Sequence, residues 1–227
     1  MAARQRRLMT KETNNMNQEK IAALEEIIYN RYSNTAGMIV LKNGETQYEG
    51  YFNGCTAASC INIFSVTKSI ISILIGIAAD RGEIQSVNQK VLDFFPDFPV
   101  ENYNEGETTI RDITLRDLMT MTAPYKHQEE PYLEYFTRDD WVSTALELLG
   151  GPEKAGKFRY TPFIGPDILS GILVKATGQS VLDFAAEHLF APLGITVKGN
   201  VTLENEEAHY AFMNARDVSG WVMDSKG

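Results

Sequence analysis

Polar and apolar positions follow several different rhythms along this chain, and one stretch dominates. From Phe64 to Gly82 a polar start, Ser65-Val66-Thr67-Lys68-Ser69, leads into a run that is apolar on almost every face through Ile70, Ile71, Ile73, Leu74, Ile75, Ile77, Ala78 and Ala79. The run is too long for a strand, and Gly82 stands where a helix would stop, so one helix is predicted. A helix apolar all round must be buried. Upstream, Ile21, Leu24, Ile27 and Ile28 recur at helical spacing between Gln18 and Tyr32, which predicts an amphipathic helix with Glu25 and Glu26 in water. Next, 37–42 and 45–52 flank Asn43-Gly44, the strongest two-residue hairpin signal.

Between Gln85 and Pro152 the pattern breaks into short helical pieces separated by Pro and Gly. Residues 113–121 read as one helix with Thr114 as its cap, and 138–149 as another with Trp141, Ala145 and Leu148 on one face. Residues 165–176, with Ile168, Leu169, Ile172 and Leu173 on an apolar face, and 181–190 predict two further helices around Thr177-Gly178. A hairpin set between helices, with no regular alternation of strand and helix, makes the chain α+β.

Composition changes this picture only by exclusion. With 227 residues, 44% hydrophobic and 22% charged, one large domain is expected over 16–227, its helical subregion at about 85–195. Residues 1–15 are polar and irregular and are read as a disordered or appended tail. Arg4, Arg6 and Arg7 imitate the basic start of a signal peptide, but no apolar stretch follows, so a cytoplasmic location is expected. No run reaches the roughly 18 apolar residues of a membrane span. A net charge of −9 and a pI near 4.9 argue against nucleic acid or an anionic membrane as partner and leave a small molecule. Cys55 and Cys60, five residues apart, are read as free thiols, with a small disulfide as the alternative. His127, His188 and His209 match no metal-ligand spacing and are expected as scattered surface residues.

The candidate chemistry sits at the start of the dominant helix. Ser65 and Lys68 are three residues apart, so one helical turn stacks hydroxyl and amine on the same face. A serine hydroxyl is a weak nucleophile that needs an adjacent base, and burial is what fits a lysine for that role. The helix N-terminus also directs N–H groups and partial positive charge at an oxyanion formed in acyl transfer. Ser-x-x-Lys also arises by chance, and a serine near a helix start is commonly only a cap.

The flanking motifs decide. Phe64-Ser65-Val66-Thr67-Lys68-Ser69, Gly82-Glu83-Ile84, Val91-Leu92-Asp93-Phe94-Phe95-Pro96, the 113–122 segment, Gly156-Lys157-Phe158-Arg159-Tyr160, Thr177-Gly178 and 189–195 occur in a fixed order. In this the chain resembles the serine β-lactamases and penicillin-binding proteins, in their class C-like branch. The resemblance implies a β-lactamase/transpeptidase-like fold, an antiparallel sheet with flanking helices and a helical subregion. It also implies Ser65 as nucleophile, Lys68 as base, and no metal or organic cofactor.

The same resemblance makes Tyr160 a third catalytic candidate, a phenol that exchanges protons with the serine and the leaving group. The family's Tyr-x-Asn becomes Tyr160-Thr161-Pro162 here, and proline has no side-chain hydrogen bond to give. Structural tyrosine is the alternative. Tyr125, Tyr132, Tyr135 and Phe136 are read either as pocket lining or as ordinary loop packing. The family's further strands, one bearing Lys-Thr-Gly or His-x-Gly, and its closing helix have no counterpart in this sequence, so the fold is expected to be incomplete. The resulting expectation is a serine hydrolase of a small ester or amide, impaired by the missing part. Its alternative is a non-catalytic fragment or binding module. Association with another copy would complete the sheet.

Overall fold

The computed structural model describes residues 18–100, 109–129, 131, 135, 137–138, 140–195, 197–200 and 221–224. Their contacts separate into two units, divided between Ile61 and Asn62.

The first unit holds α1 (Gln18–Arg31), β1 (Gly37–Lys42) and β2 (Glu45–Tyr51). The turn between the strands places Asn43 at φ 54° and Gly44 at φ 80°, the left-handed pair that suits the twist of a two-residue hairpin. The strands pair antiparallel, Lys42 opposite Glu45 and Gly37 opposite Tyr51, with a bulge between Val40 and Leu41. Ile21 and Ile28, two turns apart, pack with Tyr48 and Phe52 in a small core flanked by Leu24, Met38 and Val40. Ile27 was expected on that face and is instead 46% exposed. One residue from Ile28, it is rotated about 100° away from the packed stripe. The Tyr48 hydroxyl donates to the Glu25 carboxylate at 3.1 Å. Strand β3 (Cys60–Asn62) follows.

The second unit is built on α2 (Val66–Asp80), which begins and ends where its sequence predicts. Arg81 N–H returns to Ile77 C=O, and Gly82 turns away at φ 79°. Ile71, Leu74, Ile75 and Ala78 form one buried stripe against α5 (Ile164–Thr177). The helix is not buried all round: Ile73 is 50% exposed.

The helical subregion is made of shorter pieces than the sequence suggests. Residues 113–121 contain only α3 (Leu115–Met119), because a reciprocal cap fixes its start: Thr114 N–H donates to Asp117 Oδ2 at 2.9 Å and Asp117 N–H to Thr114 Oγ1 at 3.3 Å. Likewise α4 (Trp141–Leu148) starts late because Asp140 caps it, accepting from Ser143 N–H at 3.0 Å. Gly178 ends α5 in the left-handed conformation. The helix expected over 181–190 is α6 (Val181–Ala185) continued through a π-helical turn, Ala186–Phe190, into α7 (Ala191–Leu193). Strands β4 (Val197–Asn200) and β5 (Trp221–Asp224) then pair antiparallel, Val197 opposite Met223 and Asn200 opposite Trp221. No local signal in the sequence marks this pair. Among the described residues no helix is long and apolar enough to cross a membrane.

Helices α4 and α5 approach closely because Gly171 lacks a side chain. A Cβ there would lie 2.7 Å from Val142 Cγ1 and 3.4 Å from the Phe95 ring. Valine is stiff at χ1 and has little room to withdraw. Gly171→Ala is therefore expected to destabilise the protein by about 1–3 kcal/mol, the usual effect of overpacking. A thermal melt checks it, and an unchanged midpoint would contradict the packing.

Candidate active site

Ser65 and Lys68 are brought together by the first turn of α2. That turn extends back by short-range bonds: Val66 N–H to Ile63 C=O at 3.0 Å, Thr67 N–H to Phe64 C=O at 3.1 Å and Lys68 N–H to Ser65 C=O at 3.1 Å. Phe64 adopts φ 45°, a left-handed conformation that is uncommon for a bulky residue, at the bend immediately before Ser65. Ser65 occupies the cap position yet its side chain makes no capping bond. Instead Lys68 Nζ donates to Ser65 Oγ at 2.9 Å.

Tyr160 completes the cluster from 95 residues away, its hydroxyl donating to Ser65 Oγ at 3.0 Å. Lys68 Nζ lies 5.7 Å from the centre of the Tyr160 ring. Ser65 is exposed and Tyr160 51% exposed, so this side of the cluster is open to solvent. Lys68 and Ser72 also line a small cavity with Leu118, Met121 and Leu169, roomy enough for a water molecule.

Free N–H groups were expected at the helix start. Those of Val66, Thr67 and Lys68 are taken up by the short-range bonds, and the Ser65 N–H is the one left without an acceptor among the described residues. No pattern in the sequence marks that group, because which amides stay open depends on how tightly the first turn winds.

Thr67 is 1% exposed, and its hydroxyl has no hydrogen-bond partner among the described residues. An unpaired buried hydroxyl costs free energy that a valine of the same shape does not. Thr67→Val is expected to stabilise the protein by about 1 kcal/mol. Denaturant unfolding measures it; a loss of stability would mean that the hydroxyl is bonded.

Tyr125 and Tyr135 are core residues, not pocket lining. The Tyr135 hydroxyl is hydrogen-bonded to the buried Asp167 carboxylate in the first turn of α5. Tyr132 and Phe136 lie outside the described residues. His188 is not the surface residue expected: its side chain is 14% exposed and stands edge-on to Phe184 at 4.6 Å. His209 and the side chain of Cys60 are outside the described residues, while Cys55 is a free thiol. Among the described residues no three of His, Cys, Asp and Glu group as a metal site would require.

Comparison with known proteins adds the following. The model of the family named Beta-lactamase matches residues 22–224. Among curated proteins none matches. A beta-lactamase/D-alanine carboxypeptidase from Pseudomonas syringae superposes with a TM-score of 0.66 at 16% identity, over 92% of this chain and 62% of its own. A class C beta-lactamase from Rhodobacter sphaeroides gives 0.62 at 18% identity, over 92% and 63%. FmtA from Staphylococcus aureus gives 0.64 at 15% identity, over 95% and 64%. The chain thus spans less than two thirds of each of these structures.

Proposed function

The chain belongs to the Beta-lactamase family, and from that premise we propose that it is a serine hydrolase acting on a small ester or amide through an acyl group carried by Ser65. One observation carries the reading: Ser65 Oγ accepts hydrogen bonds from both Lys68 Nζ and Tyr160 Oη, at 2.9 and 3.0 Å.

In the proposed sequence the Lys68 amine, 2.9 Å from Ser65 Oγ, takes the hydroxyl proton as Oγ attacks the substrate carbonyl carbon. The oxygen of the tetrahedral intermediate meets the Ser65 N–H, the amide left open by the winding of the first turn. As the bond to the leaving group breaks, Tyr160 delivers a proton to it and recovers one from Lys68. Water then attacks the acyl carbon with the same groups in reverse, releasing the acid and restoring Ser65. No metal is needed for these steps.

Substrate choice follows from Pro162. Where the resembled family carries an amide side chain able to hold a substrate carbonyl, Pro162 offers none. We therefore place esters ahead of β-lactam amides as substrates.

The test is intact-mass analysis after incubation with a fluorophosphonate and, separately, with a penicillin, followed by peptide mapping. A single phosphonyl adduct on Ser65 is expected, with slower or no adduct from the penicillin. A folded sample that takes no phosphonyl label overturns the reading and leaves the scaffold as a binding module.

A further inference from the structure

We infer that Tyr125 is a positioning residue that sets where the Tyr160 hydroxyl stands relative to Ser65. The inference rests on Ser65 being the nucleophile and on Tyr160 serving it.

Both neighbours of Tyr160 are seated on Tyr125. The Arg159 guanidinium lies over the Tyr125 ring, 4.9 Å from its centre. The buried Thr161 places Oγ1 3.5 Å from the Tyr125 hydroxyl. With residues 159 and 161 both drawn to one side, residue 160 between them projects to the other, where its hydroxyl meets Ser65 Oγ. Backbone bonds fix the height of this segment: Arg159 N–H donates to Met121 C=O at 2.8 Å and Gly156 N–H to Thr122 C=O at 2.9 Å.

Tyr125 is itself held rigidly. It is buried, and its backbone forms an antiparallel bridge with Leu149. Lys126 N–H donates to Leu148 C=O and Gly150 N–H to Pro124 C=O, each at 3.0 Å. Two glycines leave it space. A Cβ at Gly151 would stand 2.9 Å from the Tyr125 carbonyl oxygen, and one at Gly165 3.2 Å from its hydroxyl. An aromatic ring covered by a cation, with its hydroxyl facing Thr161 Oγ1 and glycines on either side, is a more exact support than packing alone would require. Misplacement of a reacting group by about 1 Å is enough to slow a reaction about 10²-fold.

The experiment compares second-order rates of Ser65 phosphonylation, well below the melting temperature, for the full chain carrying Tyr125→Leu, Arg159→Met or Arg159→Lys. Tyr125→Leu and Arg159→Met are expected to slow labelling by about 10- to 100-fold. Arg159→Lys, which keeps a cation over the ring, is expected to recover most of the rate. Each substitution is repeated in a Tyr160→Phe background. If Tyr125 acts through the Tyr160 hydroxyl, the second change adds nothing there, whereas a merely structural role gives effects that multiply. Should Tyr125→Leu fail to fold, the two Arg159 variants decide alone. Labelled wild type with undiminished Tyr125 and Arg159 variants overturns this inference and leaves the nucleophile standing; unlabelled, folded wild type overturns both.

Discussion

Ser65→Ala is expected to lower hydrolysis of an activated ester such as p-nitrophenyl acetate by about 10⁶-fold, the scale on which loss of a nucleophile is felt when it works as a unit with its base. The fold should hardly notice. Ser65 is exposed and its hydroxyl is not engaged in capping α2, so the roughly 1 kcal/mol that a serine cap ordinarily contributes is not at stake. Activity and stability therefore separate cleanly in one variant. An ester assay and a thermal melt on the same preparation make the comparison. Full retention of turnover with an unchanged melt would remove Ser65 from the chemistry, and a large fall in the melting midpoint would mean that its hydroxyl supports the helix.

The elements most legible in the sequence are those whose signals are local. Asn43-Gly44 makes its turn through two left-handed residues, Thr114 caps α3 through Asp117, and Gly82 and Gly178 stand where α2 and α5 stop. Ser65 and Lys68 belong to the same class, because one turn of helix brings their side chains together. Long-range features were harder. Nothing local says that a phenol 95 residues on reaches the Ser65 hydroxyl; only the family resemblance points to Tyr160. Ile27 and Ile73 show the limit of periodicity: it identifies an apolar position, but burial requires a partner surface opposite. Tyr125 and Tyr135 show the converse, since a tyrosine in a Pro-rich stretch has no period to mark it as core. The β4–β5 pair is likewise a matter of partners found across a long stretch of chain.

Lys68→Met is expected to cost about 10⁴-fold or more in kcat/KM, comparable to loss of a general base that acts together with its nucleophile. Methionine keeps an unbranched stem beside Ile71, Met121 and Leu169, so the wall it shares with them survives and only the amine is lost. That variant alone does not distinguish a base from a nearby positive charge. Lys68→Arg does. A guanidinium retains the charge and its donors but has no accessible neutral form with which to take a proton. If Lys68 is the base, Arg is expected to be as inactive as Met; if it only attracts the developing oxyanion, Arg restores much of the rate. A third comparison closes the argument. Ser65→Ala and Lys68→Met combined should be no slower than Ser65→Ala alone, because an amine with no serine proton to take has nothing left to contribute. A double variant markedly slower than Ser65→Ala would mean that Lys68 serves the reaction by a route that does not pass through Ser65.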